Sequence, residues 1–202
     1  MSAAGKVCTG FSKPYVAKYN NTGGVVSYSG AMLLARGVSV SLSIDTINVD
    51  PFFADNVSAE TAEETFVSGT ATLTVDGLLA AAEQFILGTP EPTALEVGGE
   101  QVKVTHYGDE MQIPYMGVGF LVRYQSAGVV TYAPVVLAKA RFQQPATEAE
   151  TQGETISWQT QELTAKLSRD DTARHDWKLV GEDQATEAEA EAVLKALLGG
   201  AA

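Results

Sequence analysis

Cysteine, histidine and positive charge are all scarce in this chain, and each scarcity removes a class of explanation. Cys8 is the only cysteine, so no intramolecular disulfide can form and folding in a reducing cytoplasm is expected. Thirteen Lys and Arg against 25 Asp and Glu give a formal net charge of −12. That balance argues against a nucleic-acid ligand held by phosphate pairing, which requires clustered cations. No apolar run approaches membrane-spanning length, so no membrane binding is expected of this chain. The opening Met-Ser-Ala-Ala-Gly-Lys-Val has no apolar stretch of the kind found in export signals.

Catalytic groupings are equally sparse. His106 and His175 fall in strand or turn contexts without metal-ligand spacing, and Cys8 has no companion histidine nearby in sequence. Gly117-x-Gly119 lacks a third glycine and opens a strand, so it is not a dinucleotide fingerprint. The run Glu60 to Glu64 has none of the Asp-x-Asp-x-Asp-Gly spacing of a calcium loop and is expected to be a solvated loop. Trp158 and Trp177 are expected as core or interface anchors. The expectation is no enzyme, no metal and no cofactor.

What the chain has is apolar content and alternation. Apolar residues make up 45% of its 202 positions, and one domain of this length buries roughly 70% of its unfolded surface. Val38-Ser-Val-Ser-Leu-Ser-Ile44 and Thr70-Ala-Thr-Leu-Thr-Val75 alternate with period two, each burying one face of a sheet. Ile47 and Val49 are out of phase with Ile44, which predicts a bulge near Asp45-Thr46. From Asp76 the period turns helical through Leu78, Leu79, Ala82, Phe85 and Ile86, with Asp76 placed as N-cap and Gly88 as the residue past the end.

Taken in order, residues 1–13 read as a polar arm. Pro14–Tyr19 and Val25–Tyr28 form a hairpin around Asn20-Asn21-Thr22-Gly23-Gly24, and the state of Ala31–Arg36 stays open. The long polar segment 50–66 reads as a loop. Leu95–Val97 and Val102–Val104 flank Gly98-Gly99 in a second hairpin. Val118–Tyr124 and Val129–Phe142 are further strands. In the latter, Val130, Tyr132, Val136, Ala138, Ala140 and Phe142 share one face, while Thr131, Ala133, Val135 and Leu137 make the other largely apolar. Such a strand is buried on both faces, by the subunit itself or by a neighbour, and Val135 and Leu137 are candidates for an interface. Pro134 favours an edge or a bulge. Thr155–Arg169 reads as a long strand bulged near Gln161-Glu162, and His175–Val180 as a short one. Thr186-x-x-Glu189 has the form of a capping box before the stripe Val193, Leu194, Leu197 and Leu198. The expected fold class is mainly β, antiparallel, with two helices.

Three stretches resemble the major tail proteins of long-tailed, non-contractile bacteriophages, the subunits of the tail tube. They are Phe52-Phe-Ala-Asp-Asn56 with the following Ser68-Gly-Thr-Ala-Thr-Leu-Thr-Val-Asp-Gly-Leu78; Gly117-Val-Gly-Phe-Leu-Val-Arg123 leading to Val135–Phe142 and Pro145; and Gly153–Leu167. Their order and spacing cover residues 14–180, leaving 1–13 as an arm and 181–202 as a C-terminal helix and tail. The resemblance implies an antiparallel β-sandwich or half-open barrel with one packed helix, assembled as hexameric rings stacked into a tube. The implied partners are further copies of the chain, a tape-measure protein, tail-tip and tail-terminator proteins, and double-stranded DNA in passage. The implied location is the virion, after synthesis in the bacterial host cytoplasm. By the same analogy the 50–66 loop makes inter-subunit contacts, with Phe52, Phe53, Asp55 and Asn56 as its candidates.

If DNA slides through such a tube, the wall should present no sticky cations. Ser39, Ser41 and Ser43, Thr70, Thr72 and Thr74, and Ser157, Gln159 and Gln161 form strand faces free of Lys and Arg, and are the candidate lumen faces. The alternative reading is a β-sandwich adhesion or carbohydrate-binding module that uses Trp158 and Trp177 as its platform. An enzyme of unfamiliar type is the third class, disfavoured by the thin chemistry.

Overall fold

The computed structural model describes residues 5–47, 52–55, 57–60, 65–147, 149–151 and 158–200. Its first two strands, β1 (Val7–Thr22) and β2 (Val25–Leu33), are joined at Gly23-Gly24, where φ is 61° and 85°. Positive φ at both central residues matches the strand twist, so this two-residue loop sets the register Thr22↔Val25. The expected hairpin is therefore present but longer. Residues 7–13 are not a free arm: Val7 pairs with Gln125 and Ser12 with Leu121 of β9 (Met116–Ser126). Register shifts between Cys8 and Gly10 and between Ser12 and Tyr15 reset the alternation, which is why the sequence shows no period there.

The remaining strands of the main sheet are β3 (Gly37–Thr46), β6 (Phe66–Val75), β10 (Val129–Phe142), β11 (Gln161–Ser168) and the short β12 (Lys178–Val180). The order across the sheet is β2-β1-β9-β10-β11-β6-β3, all antiparallel, with β12 beside β10. Although β2 and β3 lie at opposite ends of this order, only Leu34, Ala35 and Arg36 connect them. Four such steps of extended chain reach about 14 Å at most, so the sheet must curl until its ends approach. Closure is tight at Gly37, where a Cβ would stand 2.3 Å from the Phe11 ring of β1. The result is a half-open antiparallel barrel. Two small hairpins lie outside it: β4 (Phe52–Ala54) with β5 (Val57–Glu60), and β7 (Thr93–Val97) with β8 (Glu100–Val104).

Alternation fills the curl. Ala71, Leu73 and Val75 of β6, Leu163, Ala165 and Leu167 of β11, and Val118 and Phe120 of β9 all point inward and are buried. Helix α1 (Ala80–Leu87) adds Ala82, Ile86 and Leu87 to this core. Its end is as expected, with Gly88 left-handed at φ 61°. Its start is not. Leu79 is the N-cap and its apolar side chain offers no bond, while Asp76 is engaged elsewhere. The Asp76 carboxylate accepts from the Arg36 backbone N–H at 3.0 Å and pairs with the Arg36 guanidinium, which holds its pKa below the ordinary value. Asp76 thus tethers the crossing between the sheet ends instead of capping the helix.

Helix α2 (Glu187–Leu197) covers the opposite face of the sheet. Thr186 and Glu189 form the reciprocal capping box. Ala190, Leu194 and Leu198 pack on Tyr15, Ala17, Leu121 and Val136. Close approach requires Gly119, where a Cβ would meet Leu194 Cδ1 at 2.7 Å. Ionic contacts complete the docking: the Glu191 carboxylate accepts from Tyr15 Oη at 2.6 Å and lies 3.1 Å from Lys13 Nζ and 3.0 Å from Lys195 Nζ.

Strand β10 is buried on both faces, and its own chain does the burying. Val135 and Leu137 belong to the barrel core at 6% and 0% exposure, while Val136 lies under α2. Val135 and Leu137 are therefore core residues, not an interface strand. A register shift between Leu137 and Ala140 puts Ala140 and Phe142 into the barrel with them, so the single face expected for Val136 through Phe142 is split. Pro134 lies opposite a bulge: Val135 pairs with Val180 but Tyr132 with Gln184, leaving one extra residue on the partner segment. The predicted bulge at Asp45-Thr46 is present. None occurs at Gln161-Glu162, where β11 begins and pairs with β6 without interruption.

Candidate functional site

The outward residues of β3, β6 and β11 form cross-strand rows because their neighbours in sequence are committed to the core. The rows are Ser39–Thr74–Glu162, Ser41–Thr72–Thr164 and Ser43–Thr70–Lys166. Ser39 Oγ donates to Thr74 Oγ1 at 3.0 Å, and Lys166 Nζ donates to Thr70 Oγ1 at 2.8 Å. The six hydroxyl residues singled out from the sequence on β3 and β6 are thus brought together on one face.

That face is not free of cations. Besides Lys166 it carries Arg141 of β10, directly opposite Lys166 in the β10–β11 register. The condition that made these strands candidates for a lumen therefore fails: Lys166 lies further along β11 itself, and Arg141 is brought beside it by the neighbouring β10. Gln161 is also misplaced by sequence reasoning. It pairs with Val75 in the inward phase, and its Oε1 accepts from the Leu78 N–H at 3.2 Å. Gln159 precedes β11, and its Nε2 donates to Glu150 at 3.0 Å. Ser157 lies outside the described residues.

Like charges directly opposite one another in a sheet repel. Among the described residues no carboxylate is within ion-pair distance of Arg141 or Lys166. Arg141 instead rests over the Tyr115 ring, 5.7 Å from its centroid. One residue pair away, Lys139 is satisfied by Asp171 at 2.8 Å. Asp171 also accepts from Tyr19 Oη at 2.8 Å. Asp171 is held below the usual carboxylate range by Lys139 and Tyr19, and burial with the Asp171 contact pushes Tyr19 up to about 12. The contrast sets Arg141 and Lys166 apart as a like-charged pair with no carboxylate partner among the described residues.

A second surface is the β7–β8 hairpin. Gly98 and Gly99, at φ 64° and 89°, make its two-residue turn as the sequence predicts. Leu95 pairs with Val102 and Val97 with Glu100, so Leu95, Val97 and Val102 share one side. They are 55%, 55% and 46% exposed, which shows that the barrel does not cover them. Glu91, Glu96, Glu100, Asp109 and Glu110 on the hairpin and its flanks are exposed, and none forms an ion pair among the described residues.

The other sequence candidates are dispersed. Phe52 and Phe53 stand in β4, their side chains and Asn56 lie outside the described residues, and Asp55 is an exposed turn residue with φ 50°. Trp177 stacks on Phe66 with ring centroids 4.9 Å apart, whereas Trp158 is 87% exposed with no such neighbour among the described residues. The two therefore do not form a common platform. His106 Nε2 is 2.7 Å from Thr93 Oγ1, and His175 occupies a left-handed turn position at φ 54°. Exposed Cys8 is in β1. Among the described residues no three His, Cys, Asp or Glu side chains converge as a metal site, and no helix is long and apolar enough to cross a membrane.

Fold and surface together define a mainly antiparallel β protein, a half-open barrel backed by a C-terminal helix, with uncovered apolar and charged faces. No protein-family model matches the chain, and no curated protein matches it either.

Proposed function

We propose that this chain is the structural subunit of a bacteriophage tail tube, forming stacked hexameric rings around a channel for double-stranded DNA. The observation that carries the reading is surface left uncovered by the chain itself. Strands β2 and β3 are the two ends of the sheet order, and the β7–β8 hairpin exposes a one-sided apolar face. A two-stranded hairpin alone in water is marginal at best, and open sheet edges invite pairing with another strand. Repeated copies of one subunit would satisfy both. Tape-measure, tail-tip and tail-terminator proteins are the further partners of this reading, the β4–β5 hairpin, which stands where the sequence suggested a loop and carries Phe52 and Phe53, is a second inter-subunit element, and the virion is the destination. Arg141 and Lys166 disfavour the β3–β6–β11 face as the channel wall, since each neutralised phosphate adds a salt-dependent attraction that stacked rings would multiply.

Negative-stain microscopy of the purified chain over a concentration series tests this. Six-fold rings or tubes are the expected result. A chain that stays monomeric at millimolar concentration, with no cross-linked species beyond those of a random-collision control, refutes it.

A further inference from the structure

A cleft of about 780 Å³ opens where the start of β11 meets the end of β10 and the β6–α1 connection. Small-molecule sites usually enclose about 300–1,000 Å³. Strand phase decides which side chains line it. Leu163 and Ala165 of β11 are committed to the core, so Glu162 and Thr164 point outward. Gln143 donates its backbone N–H to the Thr164 carbonyl oxygen at 2.8 Å, which sets it beside Thr164. Across the sheet, Glu162 pairs with Thr74 of β6. The side chains of Gln143, Glu162 and Thr164 have no hydrogen-bond partner among the described residues.

The chemistry of the walls selects the ligand. Among the described residues that line the cleft there is no Lys or Arg, so an anion would meet Glu162 without a balancing charge. Pro145 and Ala146 are the only apolar side chains there, too few to seat an apolar molecule or the apolar side chains of a peptide. Asp76 is taken up by Arg36, and no three metal-ligating side chains converge among the described residues. What the cleft does offer is Gln and Thr, which both donate and accept, beside one carboxylate acceptor. Each hydroxyl of a sugar likewise donates and accepts, and its bond to a carboxylate is the strong, charge-assisted kind. Trp158, immediately before the wall residue Gln159, is 87% exposed. Its ring is a flat apolar surface suited to the C–H face of a pyranose. We propose that this cleft binds a neutral oligosaccharide, with Gln143, Glu162 and Thr164 taking its hydroxyls and Trp158 covering one ring face. The site goes beyond the tail-tube reading and does not depend on it.

Isothermal titration calorimetry of the full chain with maltohexaose, cellohexaose, xylohexaose and N-acetylchitohexaose tests this. At least one should bind with a Kd of about 1 mM or tighter. Glu162→Gln, Thr164→Val and Gln143→Ala should each weaken that binding by about fivefold or more, and Trp158→Ala by about threefold or more. These side chains are all at least partly exposed, so folding is retained and is verified by circular dichroism. No binding of any of these sugars at about 10 mM refutes the proposal. Binding that Glu162→Gln, Thr164→Val and Gln143→Ala all leave unchanged places the sugar elsewhere and refutes it too. Heat from hexagalacturonate with none from the neutral sugars would assign an anion to Arg141 and Lys166 and overturn the cleft. Each of these failures leaves the tail-tube reading standing, because rings and tubes are read by microscopy with no sugar present.

Discussion

Replacing Glu191 by Gln removes one charge from the contact that fastens α2 to the barrel while preserving its shape. The carboxylate is 17% exposed and takes bonds from Tyr15, Lys13 and Lys195, with Tyr15 contributing most to a pKa lowered from 4.5 to about 2. Glu187, the other acid on this side of the helix, is engaged by Ser12 Oγ at 2.6 Å. At about 1.36 kcal/mol per pH unit, the difference sets a ceiling of about 3 kcal/mol. Lys13 and Lys195 are more than a third exposed, so water screens their share and about 1–2 kcal/mol remains. Gln still accepts from Tyr15, so Glu191→Gln isolates the charge. The sign follows from the depressed pKa: the contribution is full above about pH 4.5 and disappears as pH falls through about 2. Urea unfolding at pH 7, 4.5 and 2 should show wild type more stable by about 1–2 kcal/mol at pH 7, the gap closing by pH 2. An equal gap at pH 7 and pH 2 would mean that shape, not charge, holds the helix, and no gap at pH 7 would dismiss the network altogether.

Two further substitutions probe the fold. Val135→Asp buries an unpaired carboxylate in the barrel core, so the chain itself should be destabilised by several kcal/mol; a variant that melts like wild type but does not assemble would return Val135 to an interface. Gly88→Ala forces a left-handed Cβ to within 2.1 Å of the Gln112 carbonyl oxygen, so α1 must shift or fray, and a loss of about 2 kcal/mol in denaturant unfolding is expected. An unchanged midpoint would show that the 112–114 segment yields freely.

Much of the local structure was legible because it is fixed by neighbours in sequence. Period-two alternation named the buried faces of β3 and β6, the phase slip after Ile44 located a bulge, and Gly23-Gly24 and Gly98-Gly99 marked turns whose φ values only glycine adopts easily. The Thr186–Glu189 capping box and the left-handed Gly88 are likewise contacts within one turn of chain.

What required the tertiary structure was every pairing between residues distant in the chain. Asp76 was free, on local grounds, to cap α1; the crossing of Arg36 past it takes its carboxylate instead. Val135 and Leu137 look alike whether a neighbour or a core buries them, and only the curl of the sheet together with the docking of α2 answers which. The candidate site shows the same limit. Ser41, Thr70 and Thr72 were recognisable as an uncharged face one strand at a time, but Lys166 reaches Thr70 across 96 positions of sequence and Arg141 lies opposite Lys166 only through the β10–β11 register. The sequence by itself determined the alternating strands, the glycine turns, the end of α1 and the start of α2, since those depend on the backbone preferences and periodicity of adjacent residues. Which strands lie side by side, and so which charges meet, depends on long-range closure of the sheet, and only the folded chain decided that.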